Sequence, residues 1–217
     1  MPPPRSLQLV ARGRLITIEG IDGAGKSTLA AALEPALAAR GIDVVALREP
    51  GGVRVAERIR ALVTDPGLEI DARAEALLYA AARAQLVAEL LEPTLAAGRS
   101  VLLDRFVDSS LAYQGGGREL GIDAVAAINS FATHGLTADR TLLLVLPVAV
   151  GRARRGGREP DRLELEGEAF FARIDAAYRS LARSAPERVR VLDASLSAPA
   201  LAEAALAEIG DLWVGDR

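Results

Sequence analysis

The run Gly20-Ile21-Asp22-Gly23-Ala24-Gly25-Lys26-Ser27 fits the spacing GxxxxGK[ST], and the chemistry that spacing suits is the capture of phosphate. Backbone N–H groups from Gly23 to Ser27 would line a concave nest at a helix N-terminus. There the positive end of the helix dipole favours the β-phosphate of a nucleotide. The Lys26 ammonium would bridge the β- and γ-phosphates, and the Ser27 hydroxyl would offer an oxygen to magnesium, an ion that keeps several waters. Residues 20–28, closing on Thr28, are the expected ATP-binding loop. A glycine-rich turn that merely opens a helix, with Lys26 solvated, is the other reading of these residues. Lys26 argues against it, because it is the only lysine among 26 Lys and Arg residues. Arginine serves wherever else a positive charge is needed. An ammonium is a compact point charge on a flexible stem, whereas a guanidinium is a planar fork too bulky for a tight phosphate loop.

A second cluster, Arg152-Ala153-Arg154-Arg155-Gly156-Gly157-Arg158-Glu159-Pro160-Asp161-Arg162, sets five arginines around a Gly-Gly hinge. Phosphoryl transfer is stabilised electrostatically and must exclude water, so positive charge that arrives late suits a small-molecule kinase. Residues 151–165 are expected to form a mobile, arginine-rich lid over ATP. By charge alone the same residues would make a solvated basic loop equally well. A GTPase switch is excluded on another ground: its guanine motif, Asn-Lys-x-Asp, needs a second lysine, and the chain has none.

These residues need a scaffold to position them. A β-branched strand, 15–18, ends at Glu19-Gly20, and a helix over 26–40 follows, with Pro35 expected to kink or interrupt it. A strand over 44–47 leads into Arg48-Glu49-Pro50-Gly51-Gly52. An Ala/Leu-rich helix over 72–97 carries a late proline, Pro93, and stops at Gly98. A strand over 100–103 delivers Asp104-Arg105 at its carboxyl end. Helices over 108–113 and 122–133 are separated by a flexible Gly115-Gly116-Gly117. Strands over 141–146 and 189–192, with helices over 167–183 and 199–214, complete the chain. Apolar strands separated by helices imply an α/β fold of the P-loop NTPase type: a parallel, five-stranded sheet with helices on both faces. One domain spanning 1–217 is expected, with the Pro-rich residues 1–12 as a flexible tail.

Composition narrows the partners. A net charge of −3 and a pI near 5.4 argue against a nucleic-acid footprint. With no cysteine and only His134, a disulfide, a thiolate nucleophile and Cys-ligated zinc are excluded, so any metal must take oxygen ligands. No run reaches the roughly 18 apolar residues of a membrane span, and Met1-Pro2-Pro3-Pro4-Arg5 has no apolar stretch behind it. A cytoplasmic location without membrane or nucleic-acid partners is expected.

Four segments, taken in order, resemble the bacterial thymidylate kinases, nucleoside monophosphate kinases that make dTDP from dTMP and ATP. They are residues 19–27, Arg48 to Gly52, Asp104-Arg105-Phe106, and Ser109 through Ala112-Tyr113-Gln114-Gly115-Gly116-Gly117-Arg118. The resemblance covers nearly the whole chain. It implies that Asp22 reaches the sugar 3′-hydroxyl, that Arg48 and Arg105 grip the acceptor phosphate, and that Glu49 and Asp104, with Ser27, position magnesium or its waters. It further implies that Tyr79 stacks on thymine and that Arg83, one helical turn on, hydrogen-bonds the base. Many relatives have Phe where Tyr79 stands, and by itself Tyr79 reads as a core aromatic. Ser109 and Ser110 match the polar pair near the base, Tyr113 the ring that crowds the 2′ position, and Gln114 lies beside them. The phosphate loop has no arginine while the lid is rich in them, so Arg154, Arg155 and Arg158 are the expected sources of transition-state charge, together with Lys26 and Arg105. Asp193-Ala194-Ser195 matches the loop near adenine. Val145 and Ala149 stand where relatives commonly carry acids. Magnesium with ATP as co-substrate, and a homodimer built on the Ala/Leu helix, are also implied. Two alternatives stay open: a kinase of the same fold with another acceptor, and a regulatory ATP-binding module.

Overall fold

Strands β1 (Leu15–Glu19), β2 (Val44–Arg48), β3 (Ser100–Asp104), β4 (Arg140–Val145) and β5 (Val189–Asp193) pair into one sheet in the order β2-β3-β1-β4-β5. The computed structural model describes residues 12–154 and 159–213. Every pairing is parallel. The three inner strands are covered on both faces, so β1 is buried throughout and β3 and β4 along all but their last residue. Such strands read as unbroken apolar runs rather than as alternation. Their side chains still alternate between faces: Leu15, Val101 and Leu103 enter one core cluster, and Ile16, Ile18 and Leu102 the other.

Helices α1 (Lys26–Ala38), α2 (Arg54–Thr64), α3 (Ala72–Leu86), α4 (Glu92–Ala96), α5 (Val107–Ser110), α6 (Ile122–Ala132), α7 (Val148–Arg154), α8 (Glu168–Ser184) and α9 (Ala198–Ile209) link and cover the strands. Helix α1 passes through Pro35 unbroken. The proline falls in its last turn, where only one i→i−4 bond is forfeited. The expected 72–97 helix divides differently. A π-helical turn, Val87–Leu91, separates α3 from α4 just ahead of Pro93, and its wider i→i+5 bonding absorbs a residue that cannot donate to the ladder.

The glycine triplet corrects the expected flexible joint. Helix α5 continues into a second π-helical stretch, Leu111–Gly117, in which Gly115 and Gly117 are buried. A Cβ added to Gly116 would stand 2.7 Å from the Ala177 Cβ, and one on Gly117 would stand 2.7 Å from the Phe170 ring. These glycines let α8 approach closely, which is a packing role.

Helices α2 and α7 have no counterpart in the sequence reading. Helix α2 buries only Ala56 and Val63 among its charged residues, so its apolar stripe is thin. Helix α7 takes in the first four residues of the expected lid, while Arg155 and Arg158 lie outside the described residues. So does the expected tail apart from Arg12, whose guanidinium pairs with Asp139 at 3.0 Å. Among the described residues no helix is long and apolar enough to cross a membrane.

Parallel register brings the chemistry to one edge. Arg48 lies opposite Asp104, Ile18 opposite Asp104, and Glu19 opposite Leu143, so the carboxyl ends of β2, β3, β1 and β4 are level. The chain leaves β1 for β2 on one side of the sheet and later crosses to β4 on the other. A crevice therefore opens where the connections diverge, the usual ligand position in open α/β sheets.

Candidate functional site

The loop between β1 and α1 occupies that crevice. Gly23 adopts φ +81°, and a Cβ there would run into the Gly151 carbonyl of α7, so the turn demands glycine for both conformation and space. Lys26 opens α1 and is only 7% exposed. Its ammonium folds back to donate to the Gly20 carbonyl at 3.1 Å and the Ile21 carbonyl at 3.0 Å, and lies 3.9 Å from Asp22. Burial, reinforced by the nearby Arg105, pulls its pKa down to about 8. The Ser27 hydroxyl donates to the Asp104 carboxylate at 2.6 Å, tying the loop to β3.

Three cavities adjoin along this edge. One holds the loop residues Gly23, Gly25, Lys26, Ser27 and Thr28 with Arg48 and Asp104. A second shares Asp22, Glu49, Arg60 and Arg105 with it and extends to Tyr79, Arg83, Ser109, Ser110, Tyr113 and Gln114. The third shares Gly23, Gly25 and Thr28 with the first and reaches Arg154, Ala194, Leu196 and Leu201. Two ligands bound end to end would therefore meet beside Asp22, Lys26 and Arg105.

Arg105 sits at that junction with φ +71°, a backbone conformation that costs a non-glycine residue on the order of 1–3 kcal/mol. Its guanidinium donates to Asp22 at 2.7 Å and to the Ser109 hydroxyl at 3.1 Å, and lies over the Tyr113 ring at 5.0 Å. Arg48, by contrast, is exposed and donates to Glu57 on α2 at 3.2 Å, facing the phosphate cavity from its rim. Arg154 donates to the Ala194 carbonyl at 2.8 Å, which puts it beside the loop expected near adenine.

Arg83 and Glu49 form the floor of the second cavity. Arg83 is 2% exposed, and its guanidinium is engaged on every side: Glu49 at 2.8 Å, Ser110 and the Phe106 carbonyl each at 2.9 Å, and a short bond to Asn129. Burial pushes the Glu49 carboxyl up despite this partner, and its Oε1 atom is buried with no hydrogen-bond partner among the described residues.

Several site residues escaped the sequence reading. Arg60 escaped because α2 did. Glu19 ends a buried strand, a carboxylate among β-branched neighbours that could have flagged it. Burial first, and then Asp108, push its carboxyl up to about 7, against hydrogen bonds from Ser109 and the Phe106 amide that favour ionisation. Glu75 gave no signal, yet its fully buried carboxylate accepts from Arg162 at 2.6 Å, Gln114 at 2.8 Å and Arg118 at 3.1 Å. Arg162 also donates to the Val63 carbonyl at 3.1 Å, so the segment that places Asp161 and Leu163 in the second cavity is clasped to α2 and α3. Glu75→Gln is expected to lower stability by about 1–3 kcal/mol, the usual loss for charge-assisted hydrogen bonds. A urea midpoint unchanged at pH 7 would show that the clasp contributes nothing.

A glycine loop closing on a buried lysine at the carboxyl ends of parallel strands, beside a second cavity lined by arginines, defines a P-loop enzyme of phosphoryl transfer. The family model described as "Thymidylate kinase" matches residues 18–205. Similar proteins named thymidylate kinase include one from Oenococcus oeni, 52% identical over 202 residues that cover 90% of this chain and 94% of that protein. Another, from Chromobacterium violaceum, is 50% identical over 86% of this chain and 88% of its own length. A third, from Rhizorhabdus wittichii, is 46% identical over 92% of this chain and 98% of its own. The chain belongs to the thymidylate kinase family.

Proposed function

We infer that the chain is an ATP-dependent dTMP kinase, transferring the γ-phosphoryl group of ATP to dTMP and releasing ADP and dTDP. The observation that carries this reading is the shared wall of the loop cavity and the second cavity at Asp22 and Arg105, with Lys26 beside it. An oxygen of the dTMP phosphate, already ionised near neutral pH, attacks the γ-phosphorus as the bond to the β,γ-bridging oxygen breaks. No general base or phosphoenzyme is needed, so positioning and charge neutralisation carry the rate. Lys26 exchanges the Gly20 and Ile21 carbonyls for the β- and γ-phosphates. Arg105 and Arg48 hold the acceptor phosphate, and Asp22 is within reach of the sugar. Arg154, with Arg155 and Arg158, brings charge from the lid.

The thymine ring is assigned to the space between Tyr79, Ser110, Tyr113 and Gln114. Arg83 faces this space with its donors taken, so to bind the base it must exchange one partner, and Ser110 is the neutral side-chain hydroxyl among them.

The oxygen set near the loop suits magnesium: the Ser27 hydroxyl bonded to Asp104, and Glu49 with an unpartnered Oε1. Among the described residues no cluster of three or more His, Cys, Asp or Glu side chains could hold a metal. Phosphate oxygens and waters would therefore complete its shell. When bound, the ion neutralises charge on the β- and γ-phosphates.

A homodimer is proposed on α3 and α6, adjacent helices on which Leu77 and Phe131 are exposed, Phe131 at 87%. The cytosol, where ATP is regenerated, is the compartment assigned to this activity.

The test is phosphoryl transfer from Mg·ATP to dTMP, dUMP, dCMP, dGMP, UMP and thymidine, with separation of products. dTMP is expected to exceed dUMP by about tenfold or more in kcat/KM, the discrimination one methyl group supports. Preference for another acceptor would discard the base pocket. ATP hydrolysis without any phosphorylated product would favour a regulatory module.

A further inference from the structure

We propose that Glu19 is the positioning residue that sets Arg105 against the acceptor phosphate, acting on both its backbone and its guanidinium. The inference rests on the reading of Arg105 as a ligand of that phosphate.

Three observations converge on it. First, Arg105 is held in the left-handed region by bonds on either side of it, both anchored on β1. Its own amide donates to the Ile18 carbonyl at 3.0 Å, and the next amide, of Phe106, donates to Glu19 Oε1 at 2.7 Å. A strained residue persists only where its surroundings over-determine it, and one of the two flanking bonds here is made by the Glu19 carboxylate.

Second, the other oxygen of the same carboxylate governs the side chain. When Glu19 is ionised, the one Ser109 proton goes to its Oε2 at 2.5 Å. That direction leaves the Ser109 oxygen with lone pairs toward Arg105, whose Nη1 donates to it at 3.1 Å. Asp22, three residues past Glu19, takes the guanidinium's other end at 2.7 Å. The fork is thus set by two carboxylates from one strand end, one directly and one through a serine.

Third, Glu19 is fully buried and lines none of the three cavities. A buried carboxylate is costly and is retained where it is fully used. Its last partner, the Tyr178 hydroxyl of α8, donates to the same oxygen at 3.0 Å and lies 3.0 Å from the Ser109 hydroxyl beside it.

The test is steady-state kinetics on Glu19→Gln, Arg105→Met and the double variant. The isosteric amide replaces an acceptor with a donor, so Ser109 must turn its proton away. Glu19→Gln is expected to raise the KM for dTMP about tenfold, the scale of a charge-assisted hydrogen bond, with the KM for ATP within about twofold. On the Arg105→Met background the same change is expected to add less than about twofold, because the group through which it acts is gone. Equal losses for ATP and dTMP, or a Glu19→Gln effect that multiplies undiminished onto Arg105→Met, would reduce Glu19 to a structural residue. Ser109→Ala keeps the Phe106 bond and cuts the side-chain arm, along with the 3.0 Å contact to the Tyr178 hydroxyl. It is expected to raise the dTMP KM about threefold, and an unchanged KM in that variant would overturn the proposal even if Glu19→Gln does not fold. An impaired Arg105→Met with an unaffected Glu19→Gln overturns this inference alone, whereas an unchanged dTMP KM in Arg105→Met overturns the acceptor reading with it.

Discussion

Lys26→Ala is expected to lower kcat about a thousandfold at saturating Mg·ATP and dTMP, the scale on which preorganised charge at a transferring phosphoryl group acts. The ammonium is buried at the mouth of α1 and held by two loop carbonyls, ready to be drawn onto phosphate oxygens. No other lysine exists to replace it, and among the described residues Arg48, Arg83 and Arg105 are committed to carboxylates, a hydroxyl and a carbonyl. Stability should move the other way. Burial pulls the pKa from 10.5 to about 8, so holding the charge at pH 7 opposes folding, a cost relieved only as pH rises from about 8 toward 10.5. Alanine removes that cost, and Tm is expected not to fall. The same shift sets a pH limit. The free enzyme holds the ammonium charged below about pH 8, so kcat/KM for ATP is expected to decline above it. Near-normal kcat in the folded variant would remove the phosphate-loop assignment, and a profile flat to pH 9.5 would show that the free enzyme keeps Lys26 charged.

Arg83→Met is expected to cost about 3–5 kcal/mol of stability, the range for stripping one partner from a buried ion pair. Arg83 would otherwise pass for a base-recognition residue alone, but it is also the cation that neutralises Glu49 and bonds Ser110, Asn129 and the Phe106 carbonyl. Methionine fills the volume and leaves Glu49 buried without a countercharge. Burial already raises the Glu49 carboxyl with Arg83 in place. In the variant it would rise further, and the deficit is expected to shrink as pH falls and the carboxyl takes a proton. Urea unfolding checks both, and the double variant with Glu49→Gln should recover more than half the loss. If Arg83→Met instead weakened only dTMP binding at unchanged stability, its buried bonds would be incidental to the fold.

These outcomes hinge on contacts of unequal legibility. The phosphate loop could be read from eight consecutive residues because its geometry is local: a left-handed glycine, a helix start and a lysine that must follow it. The inner strands could be read as well, since burial on both faces leaves an unbroken apolar run as its trace. The resemblance implied that Arg48, Tyr79, Arg83, Arg105 and Tyr113 surround two ligands; Arg48 lines the first of the two adjoining cavities, Tyr79, Arg83 and Tyr113 the second, and Arg105 both. Helix α2 left a local trace that the strand-and-loop reading passed over: Val55, Ala56, Ile59, Leu62 and Val63 recur at helical spacing among charged residues.

What the amino-acid order determined by itself was the phosphate chemistry, the oxygen-only metal options and a parallel α/β sheet, all of which depend on residue type or neighbouring residues. What only the tertiary structure decided was which charges meet. Glu75 finds Gln114, Arg118 and Arg162 across 39, 43 and 87 positions, and Glu19 finds Phe106 across 87. The glycines 115–117, which look like a hinge in sequence, become a close contact with α8. The reason is physical: a buried carboxylate is tolerated only by the partners that folding brings to it, and no local pattern encodes a partner that arrives from another element.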